Sequence, residues 1–217
     1  YHARDINYNA LTKRLEMLSN SSRNLSQMKQ RTERLFDERI GALPKKVYML
    51  GAEYTPLEFA HSVCMRGEYL AMTSFTHHRF GEAFVLEVPD NYSNELYYNV
   101  PIDVMMKRIE RSLRTGHPVC WEGDTSELGF DFKRGVAELT KQRPYTQKQR
   151  QIEFENHHTT DDHCMVLIGI AHDENGKRYY IAKNSWGTGN QYGGLMYLSD
   201  QYVMMKTVAI VVKNINM

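Results

Sequence analysis

His163 and Asn184 are two residues of this 217-residue sequence whose types and spacing could do chemistry together. His163 stands directly before an apolar run, CMVLIGIA, and Asn184 closes a second run, RYYIAKN. The DENG segment between the runs (residues 173–176) has strong turn chemistry. Strands of similar length, folded about residue 174, would place residue 163 beside residues 184–186. The pattern therefore predicts that the two side chains are neighbours at one end of a β-hairpin.

A histidine held by an asparagine carbonyl is the base half of a nucleophilic triad. The amide oxygen fixes the imidazole tautomer, so that the other ring nitrogen is free to accept a proton. Trp186 follows Asn184 in the tetrapeptide NSWG. Its indole could cover the hydrogen bond from water and strengthen it. We therefore predict that His163, Asn184 and Trp186 form one catalytic unit.

The N-terminal part of the chain is predicted to form a pair of helices within residues 5–40. Leucines spaced by four and three positions give the first helix its apolar stripe. The polar segment SNSSRN (residues 19–24) separates the two helices, because Ser and Asn side chains prefer helix caps to helix interiors. Gly41 and then Pro44 end the second helix. No heptad pattern is sustained, so the sequence favours a helical hairpin over a coiled coil.

A further helix has a clear start signal in YTPLEFAHSV (residues 54–63). Thr55 can cap the helix, Pro56 suits its first position, and Glu58 completes a capping box.

The remaining elements are mostly strands. The hairpin strand 164–171 is apolar at successive positions, which predicts burial on both faces. The other predicted elements are a strand in 80–91, an amphipathic helix in 101–116, a short strand in 117–123, a helix that becomes a loop in 146–162, and two strands around a polar bend in 193–215. Helices followed mainly by strands indicate an α+β fold with an antiparallel sheet.

Composition excludes several classes of function. The net charge of +1 gives no electrostatic basis for binding nucleic acid or an anionic membrane. No apolar run approaches the roughly 20 residues of a membrane helix. The three cysteines form no CxxC pair, which argues against a disulfide framework and a zinc ribbon. Because the chain begins with Tyr1, we expect that residues, including any export signal, preceded it.

The segments DHCMVLIGI and YYIAKNSWG resemble the second half of a papain-like cysteine peptidase. The resemblance implies that His163 is the general base, Asn184 its orienting residue and Trp186 the shield. The segments TPLEFAHSV, NVPIDVMMKRIERSLRTGHPVCWEGDT and the polar stretch before His163 are similar to the bleomycin hydrolase and aminopeptidase C group. The implied organisation is a helical segment in residues 1–45 and the right-hand antiparallel β lobe in residues 46–217.

The nucleophile of such a peptidase is expected outside this chain. Cys120 precedes Trp121 in VCWEG, but we place it on a strand, without the glycine-rich turn into a helix N-terminus that lowers a thiol pKa. Cys164 is next to His163, and adjacent strand residues point to opposite faces. We interpret Cys164 and Cys64 as small buried apolar residues.

The resemblance then implies a partner, an N-terminal chain or lobe of the same enzyme that carries the catalytic cysteine. Peptides are the implied substrates and peptide hydrolysis through a thioester the implied reaction, with no cofactor and no metal. The resemblance also implies a homo-oligomer, a hexamer, and a cytoplasmic location. An exported protein stays an alternative, because the chain begins at Tyr1. The C-terminal arm that makes that group aminopeptidases would lie beyond VVKNINM, so we expect either aminopeptidase or endopeptidase action.

Four further residues are candidates for contacting substrate. Asp124 and Glu127 lie in the acidic loop after Trp121 and could bind a substrate amine, although a solvated loop would have the same composition. Asp162 and Cys164 flank His163.

Two other functions are considered. NHHTTDDHC (residues 156–164) is rich in possible metal ligands, but it lacks the HExxH or CxxC order of known zinc sites. A catalytically inactive lobe used for binding or scaffolding is the alternative if the complete protein has no nucleophile.

Overall fold

The computed structural model describes residues 6–140 and 145–214. The chain divides into two compact units, Tyr1–Met65 and Arg66–Met217. The division lies some distance after residue 45, where the sequence prediction ended its helical segment, because a short hairpin and a third helix belong to the first unit.

The first unit contains the predicted pair of helices, α1 (Tyr8–Ser21) and α2 (Leu25–Arg39). Asn24 caps α2, and its side-chain oxygen accepts a hydrogen bond from the backbone N–H of Gln27 at 3.2 Å. The polar segment after α1 therefore separates the two helices as predicted, because its last residue satisfies a backbone donor at the start of the second.

The rest of the first unit is a strand pair and a capped helix. β1 (Val47–Met49) pairs antiparallel with β2 (Ala52–Tyr54), and α3 (Pro56–Val63) follows. The predicted capping box of α3 is present: Glu58 N–H donates to Thr55 Oγ1 at 3.3 Å, and Thr55 N–H donates to Glu58 Oε2 at 2.7 Å.

The second unit is built on a sheet whose described strands number ten. Its strands are β3 (Tyr69–Thr73), β4 (Ala83–Val85), β5 (Leu96–Asn99), β6 (Val119–Gly123), β7 (Phe130–Asp131), β8 (Val136–Ala137), β9 (His163–His172), β10 (Arg178–Lys183), β11 (Leu195–Ser199) and β12 (Thr207–Lys213). They lie in the order β4-β5-β3-β12-β6-β9-β10-β11-β8-β7. Only the β3–β5 and β8–β11 pairs are parallel among the described strands, so the predicted α+β fold with a mainly antiparallel sheet is confirmed.

Among the described residues, three helices accompany this sheet: α4 (Ile102–Arg114), α5 (Gln147–Glu155) and α6 (Asp200–Lys206). The apolar stripe of α4 buries Met105 and Ile109 completely. Both belong to a core with Trp121 and Leu167 of the two central strands. Trp121 also donates its indole N–H to Thr207 Oγ1 at 2.7 Å, so the core has no unsatisfied polar group at this position.

Three sequence predictions need correction. The polar bend predicted between the last two strands is α6, which Ser199 caps by accepting from Tyr202 N–H at 3.2 Å. The strand predicted in residues 80–91 is limited to β4. Burial of the hairpin strand on both faces is wrong for this chain, because Val166 and Ile168 of β9 are 39% and 46% exposed.

Candidate active site

The hairpin of β9 and β10 brings His163 and Asn184 together. His163 begins β9, and Asn184 directly follows the end of β10. The Nε2 atom of His163 lies 2.9 Å from Oδ1 of Asn184. The pairing register shifts between Ile181 and Ala182, where β9 carries one extra residue, Ile168. The neighbourhood predicted from the two runs is therefore present in the structure.

The hydrogen bonds of Asn184 determine which imidazole nitrogen carries a proton. The backbone N–H of Ser185 donates to Asn184 Oδ1 at 2.7 Å, which identifies this atom as the carbonyl oxygen. An oxygen acceptor requires His163 Nε2 to be the N–H donor. In the neutral ring Nδ1 is then unprotonated, and its lone pair is available to take a proton from a nucleophile.

Trp186 packs against the His163 ring, with 4.9 Å between the ring centroids. It also makes edge contacts with Phe130 at 5.6 Å and Phe132 at 5.4 Å. Trp186 itself is 48% exposed, so about half of its surface stays in contact with water. Phe130 and Phe132 were missed in the sequence, where nothing links the β7 region to residue 186.

The loop after Asn184 is held by Asn190. Its Oδ1 accepts from Gly194 N–H at 2.7 Å and Tyr192 N–H at 3.1 Å, and its Nδ2 donates to Leu195 O at 2.8 Å. Gly194 O in turn accepts from Asn184 N–H at 3.4 Å. The nearly buried side chain of Asn190 thus fixes the chain that follows Asn184.

A buried lysine, Lys206, supports the segment that leads into His163. Its Nζ donates to His158 O at 2.6 Å and to Thr159 Oγ1 at 3.2 Å. The carboxylates around it are Asp124 and Glu153, each 3.7 Å away, and Glu127 in direct contact.

Asp124 and Glu127 are thereby occupied within the chain. Asp124 is 1% exposed and accepts from Thr160 N–H at 3.1 Å and from Ser126 N–H at 2.8 Å. A buried, bonded carboxylate cannot reach a substrate amine without losing these partners. Glu127 is likewise paired with Lys206. A role of Asp124 or Glu127 in contacting substrate stays a prediction, and it would require each carboxylate to give up these partners.

Asp162 is exposed beside His163, and its Oδ1 accepts from Thr125 N–H at 2.8 Å and from Thr125 Oγ1 at 2.9 Å. Its role in contacting substrate stays a prediction.

An acidic group of side chains surrounds Cys164 on the exposed side of β6 and β9. Burial raises the pKa of Cys164 to about 12, and the charge of Glu122 adds to the effect. Burial also raises the pKa of Asp161 to about 7, with further contributions from Glu122, Asp90 and Asp162. Burial raises the pKa of Glu122 itself, so each of these groups is less acidic than usual.

The cysteines do not complete the site in the described part of the chain. Cys120 and Cys164 lie at the exposed positions of β6 and β9, which alternate with the inward positions of Trp121 and Met165. The prediction that Cys164 is buried is wrong: Cys120 and Cys164 have exposed side chains whose thiols lose only part of their surrounding water to neighbouring groups, and Cys64 is half-buried. Burial, then Glu122, raises the pKa of Cys120, which is the reverse of what a nucleophilic thiol needs.

The cluster NHHTTDDHC does not gather into a metal-binding group. Among the described residues, the His, Cys, Asp and Glu side chains close enough to share an ion are His77, His78 and Glu87, in another part of the unit. Within the same residues, no helix is long and apolar enough to cross a membrane.

The fold is that of the papain-like cysteine peptidases. The chain belongs to the Peptidase C1-like family, whose model matches residues 12–217. It is 25% identical over 170 residues to Aminopeptidase E of Lactobacillus helveticus, a match that covers 72% of this chain and 38% of that protein. The crystal structure of PepW from Lactobacillus rhamnosis superimposes with a TM-score of 0.65 at 16% identity, over 95% of this chain and 53% of that one. The chain thus spans about half the length of this solved structure and less of the curated relative.

Proposed function

We propose that this chain is the base-bearing part of a cysteine peptidase and that the nucleophilic cysteine comes from outside the sequence described. The observation that carries the proposal is the 2.9 Å contact of His163 Nε2 with Asn184 Oδ1, which leaves Nδ1 as a proton acceptor. The raised pKa values of Cys120 and Cys164 support an external thiol.

In the proposed reaction, His163 Nδ1 takes the proton of the external thiol, and the thiolate attacks the peptide carbonyl carbon. The C–N bond breaks as His163 returns the proton to the leaving amine, and a thioester remains. Water then attacks the thioester carbonyl and gives a proton to His163, and the thiol is released with that proton. Asn184 holds the imidazole in place during both transfers.

The exposed side of β9 supports an N-terminal part as the partner. Val166 and Ile168 present apolar surface to solvent on the same side as Cys164. Covering such side chains contributes about 25 cal/mol per Å² of apolar area removed from water. We propose that the cysteine-bearing part packs against this exposed side of β9. That the complete enzyme forms a homo-oligomer is a separate proposal, which rests on the resemblance.

An active-site-directed thiol probe tests the proposal. Intact material would be treated with an epoxysuccinyl inhibitor and weighed by mass spectrometry after denaturation. We expect the label on a cysteine outside residues 1–217, and we expect His163→Ala to abolish labelling. Label on Cys64, Cys120 or Cys164, or undiminished labelling of the His163→Ala variant, would contradict the proposal. If the intact material contains no cysteine-bearing segment besides residues 1–217, the alternative function, a catalytically inactive lobe used for binding, would be favoured.

The requirement for a free amino terminus on the substrate distinguishes an aminopeptidase from an endopeptidase. The name of the Lactobacillus helveticus relative supports cleavage at a free amino terminus. Paired peptides that differ only in an N-terminal acetyl group would be compared with the complete enzyme. Cleavage of the free-amine peptide alone indicates an aminopeptidase, and cleavage of both indicates an endopeptidase.

A further inference from the structure

Two adjacent histidines and a glutamate converge at one end of the sheet. His77 and His78 lie between β3 and β4, and Glu87 lies shortly after β4. One ligand atom from each lies within 4.8 Å of the other two. The closest approaches are 3.1 Å from His77 Nε2 to Glu87 Oε2 and 2.7 Å from His78 Nε2 to Glu87 Oε1. We propose that these three side chains bind a divalent transition metal ion, with Zn²⁺ as the natural fit.

The donor set is one that zinc uses in proteins. Two imidazole nitrogens and one carboxylate oxygen make a three-ligand site in which water takes the fourth tetrahedral position. The side chains of His77, His78 and Glu87 are 27%, 38% and 54% exposed, so solvent can reach the open position. Mg²⁺ and Ca²⁺ prefer oxygen ligands, which argues against them here.

The histidine loop is held in place by a buried side chain. Asn99 is fully buried, and its Oδ1 accepts from Phe75 N–H at 2.9 Å. Its Nδ2 donates to the carbonyls of Phe75 at 2.8 Å, His78 at 3.0 Å and Arg79 at 3.2 Å. One carboxamide thus fixes the backbone on both sides of the histidine pair, and preorganised ligands bind an ion at less entropic cost.

Aromatic packing sets the planes of the two imidazoles. The His78 ring stacks on Phe84 with centroids 3.9 Å apart, and the His77 ring lies parallel to Phe154 at 6.0 Å. The two imidazole centroids are 4.6 Å apart. Both Nε2 atoms point to the same carboxylate, so the rings are already oriented toward a common point.

Gln151 of α5 sets the protonation of His77 in the metal-free state. Its Oε1 accepts from Thr76 N–H, so its Nε2 faces His77 Nδ1 at 2.8 Å. Nδ1 is then an acceptor, and Nε2 carries the proton that is given to Glu87. A metal at Nε2 requires the proton on Nδ1, and the Gln151 amide must give up its bond to that atom. Ligating histidines ordinarily donate this N–H to a carboxylate or carbonyl. Gln151 Nε2 also donates to Glu155 Oε1 at 2.9 Å. The double variant Gln151→Glu/Glu155→Gln therefore supplies a carboxylate acceptor for Nδ1–H and keeps a donor–acceptor pair between positions 151 and 155.

Isothermal titration of the purified chain with Zn²⁺ tests the site. We expect one equivalent to bind, and we expect Glu87→Gln and the double variant His77→Ala/His78→Ala each to lose at least about tenfold in affinity. Gln151→Glu/Glu155→Gln is expected to bind more tightly than the natural chain. Circular dichroism before titration checks that each variant is folded. If the double variant does not fold, the isosteric variant Glu87→Gln still decides the test.

A second histidine pair provides the matched control. His157→Asn/His158→Asn removes two adjacent exposed imidazoles from another loop, and His163→Ala removes the proposed base. Both are expected to bind Zn²⁺ as the natural chain does. The proposal is overturned if the natural chain fails to bind stoichiometrically, if Glu87→Gln binds with unchanged affinity, or if the control pair abolishes binding. None of these outcomes bears on peptide hydrolysis.

Discussion

The Sγ atom of Cys164 lies 3.8 Å from Oε1 of Glu122, across the antiparallel pair of β6 and β9. Burial and this carboxylate raise the pKa of Cys164 to about 12. The residue that follows the proposed base is therefore a protonated thiol at neutral pH. Although Cys164 is next to His163 in the sequence, it is not the nucleophile of the proposed reaction.

The reactivity of Cys164 follows from that pKa. A thiol with a pKa near 12 has so little thiolate at pH 8 that iodoacetamide should label it roughly 100- to 1000-fold more slowly than an unperturbed cysteine. Glu122→Gln removes a negative charge and should speed labelling without making it as fast as a free thiol. Peptide mapping by mass spectrometry measures both rates. Rapid labelling of the natural chain at Cys164 would contradict the expectation.

Asp161 should make the stability of the chain depend on pH. Burial raises its pKa to about 7 from a usual value of 3.8, so the folded state binds a proton that the unfolded state has released. Its contribution to stability is fully present below about pH 4 and is lost as the pH rises through about 7. Its Oδ2 is buried without a hydrogen-bond partner among the described residues, in keeping with a carboxyl that resists ionisation.

Urea unfolding from pH 4 to pH 8 measures this dependence. The free energy of unfolding of the natural chain should fall across this range relative to that of Asp161→Asn, which cannot titrate at this position. Asp90→Asn removes one of the charges that raise the pKa of Asp161 and should move the fall to lower pH. A constant difference between the natural chain and Asp161→Asn would show that Asp161 titrates normally.

Lys206 is expected to be a major contributor to stability. It is 2% exposed and neutralises the almost fully buried Asp124, while its Nζ holds the segment before His163. Removing one partner of a buried ion pair costs about 3–5 kcal/mol, because the other charge remains without compensation. Lys206→Met should lower the free energy of unfolding by this amount in urea titrations.

The matched control for Lys206 is Lys107 of α4. Lys107 Nζ lies 3.2 Å from Asp103 in an i,i+4 pair, and its side chain is 78% exposed. Lys107→Met should change the free energy of unfolding by only about 0.3–0.5 kcal/mol. Equal effects at the two lysines would show that Lys206 is not acting through its buried partners.

Local signals of the sequence predicted the hairpin and the contact between His163 and Asn184. His163 and Asn184 are 21 positions apart, and a two-strand fold about one turn is enough to join them. The capping box at Thr55 needs only four consecutive residues. Both features depend on short-range geometry, which the residue types of a single segment determine.

Contacts between distant segments could not be predicted in the same way. Gln151 meets His77 across 74 positions, and Lys206 meets Thr159 across 47. These contacts depend on how the helices pack against the sheet. The periodicity of either segment does not indicate which distant segment it will contact. The α6 helix is an intermediate case: Ser199 and Asp200 are a cap signal, but only seven helical residues follow, within a run that otherwise favours strands.

The hydrogen bond from His163 to Asn184 predicts a single imidazole tautomer. Nitrogen chemical shifts in NMR spectra of the labelled chain should show Nε2 protonated and Nδ1 bare at a pH where the ring is neutral, because Asn184 Oδ1 can only accept. Asn184→Ala removes the acceptor and should give a mixture of tautomers. Trp186→Ala should keep the tautomer but hasten exchange of the Nε2 proton with water, because the indole packs on one side of the ring. An unchanged tautomer in Asn184→Ala would mean that another group orients the proposed base.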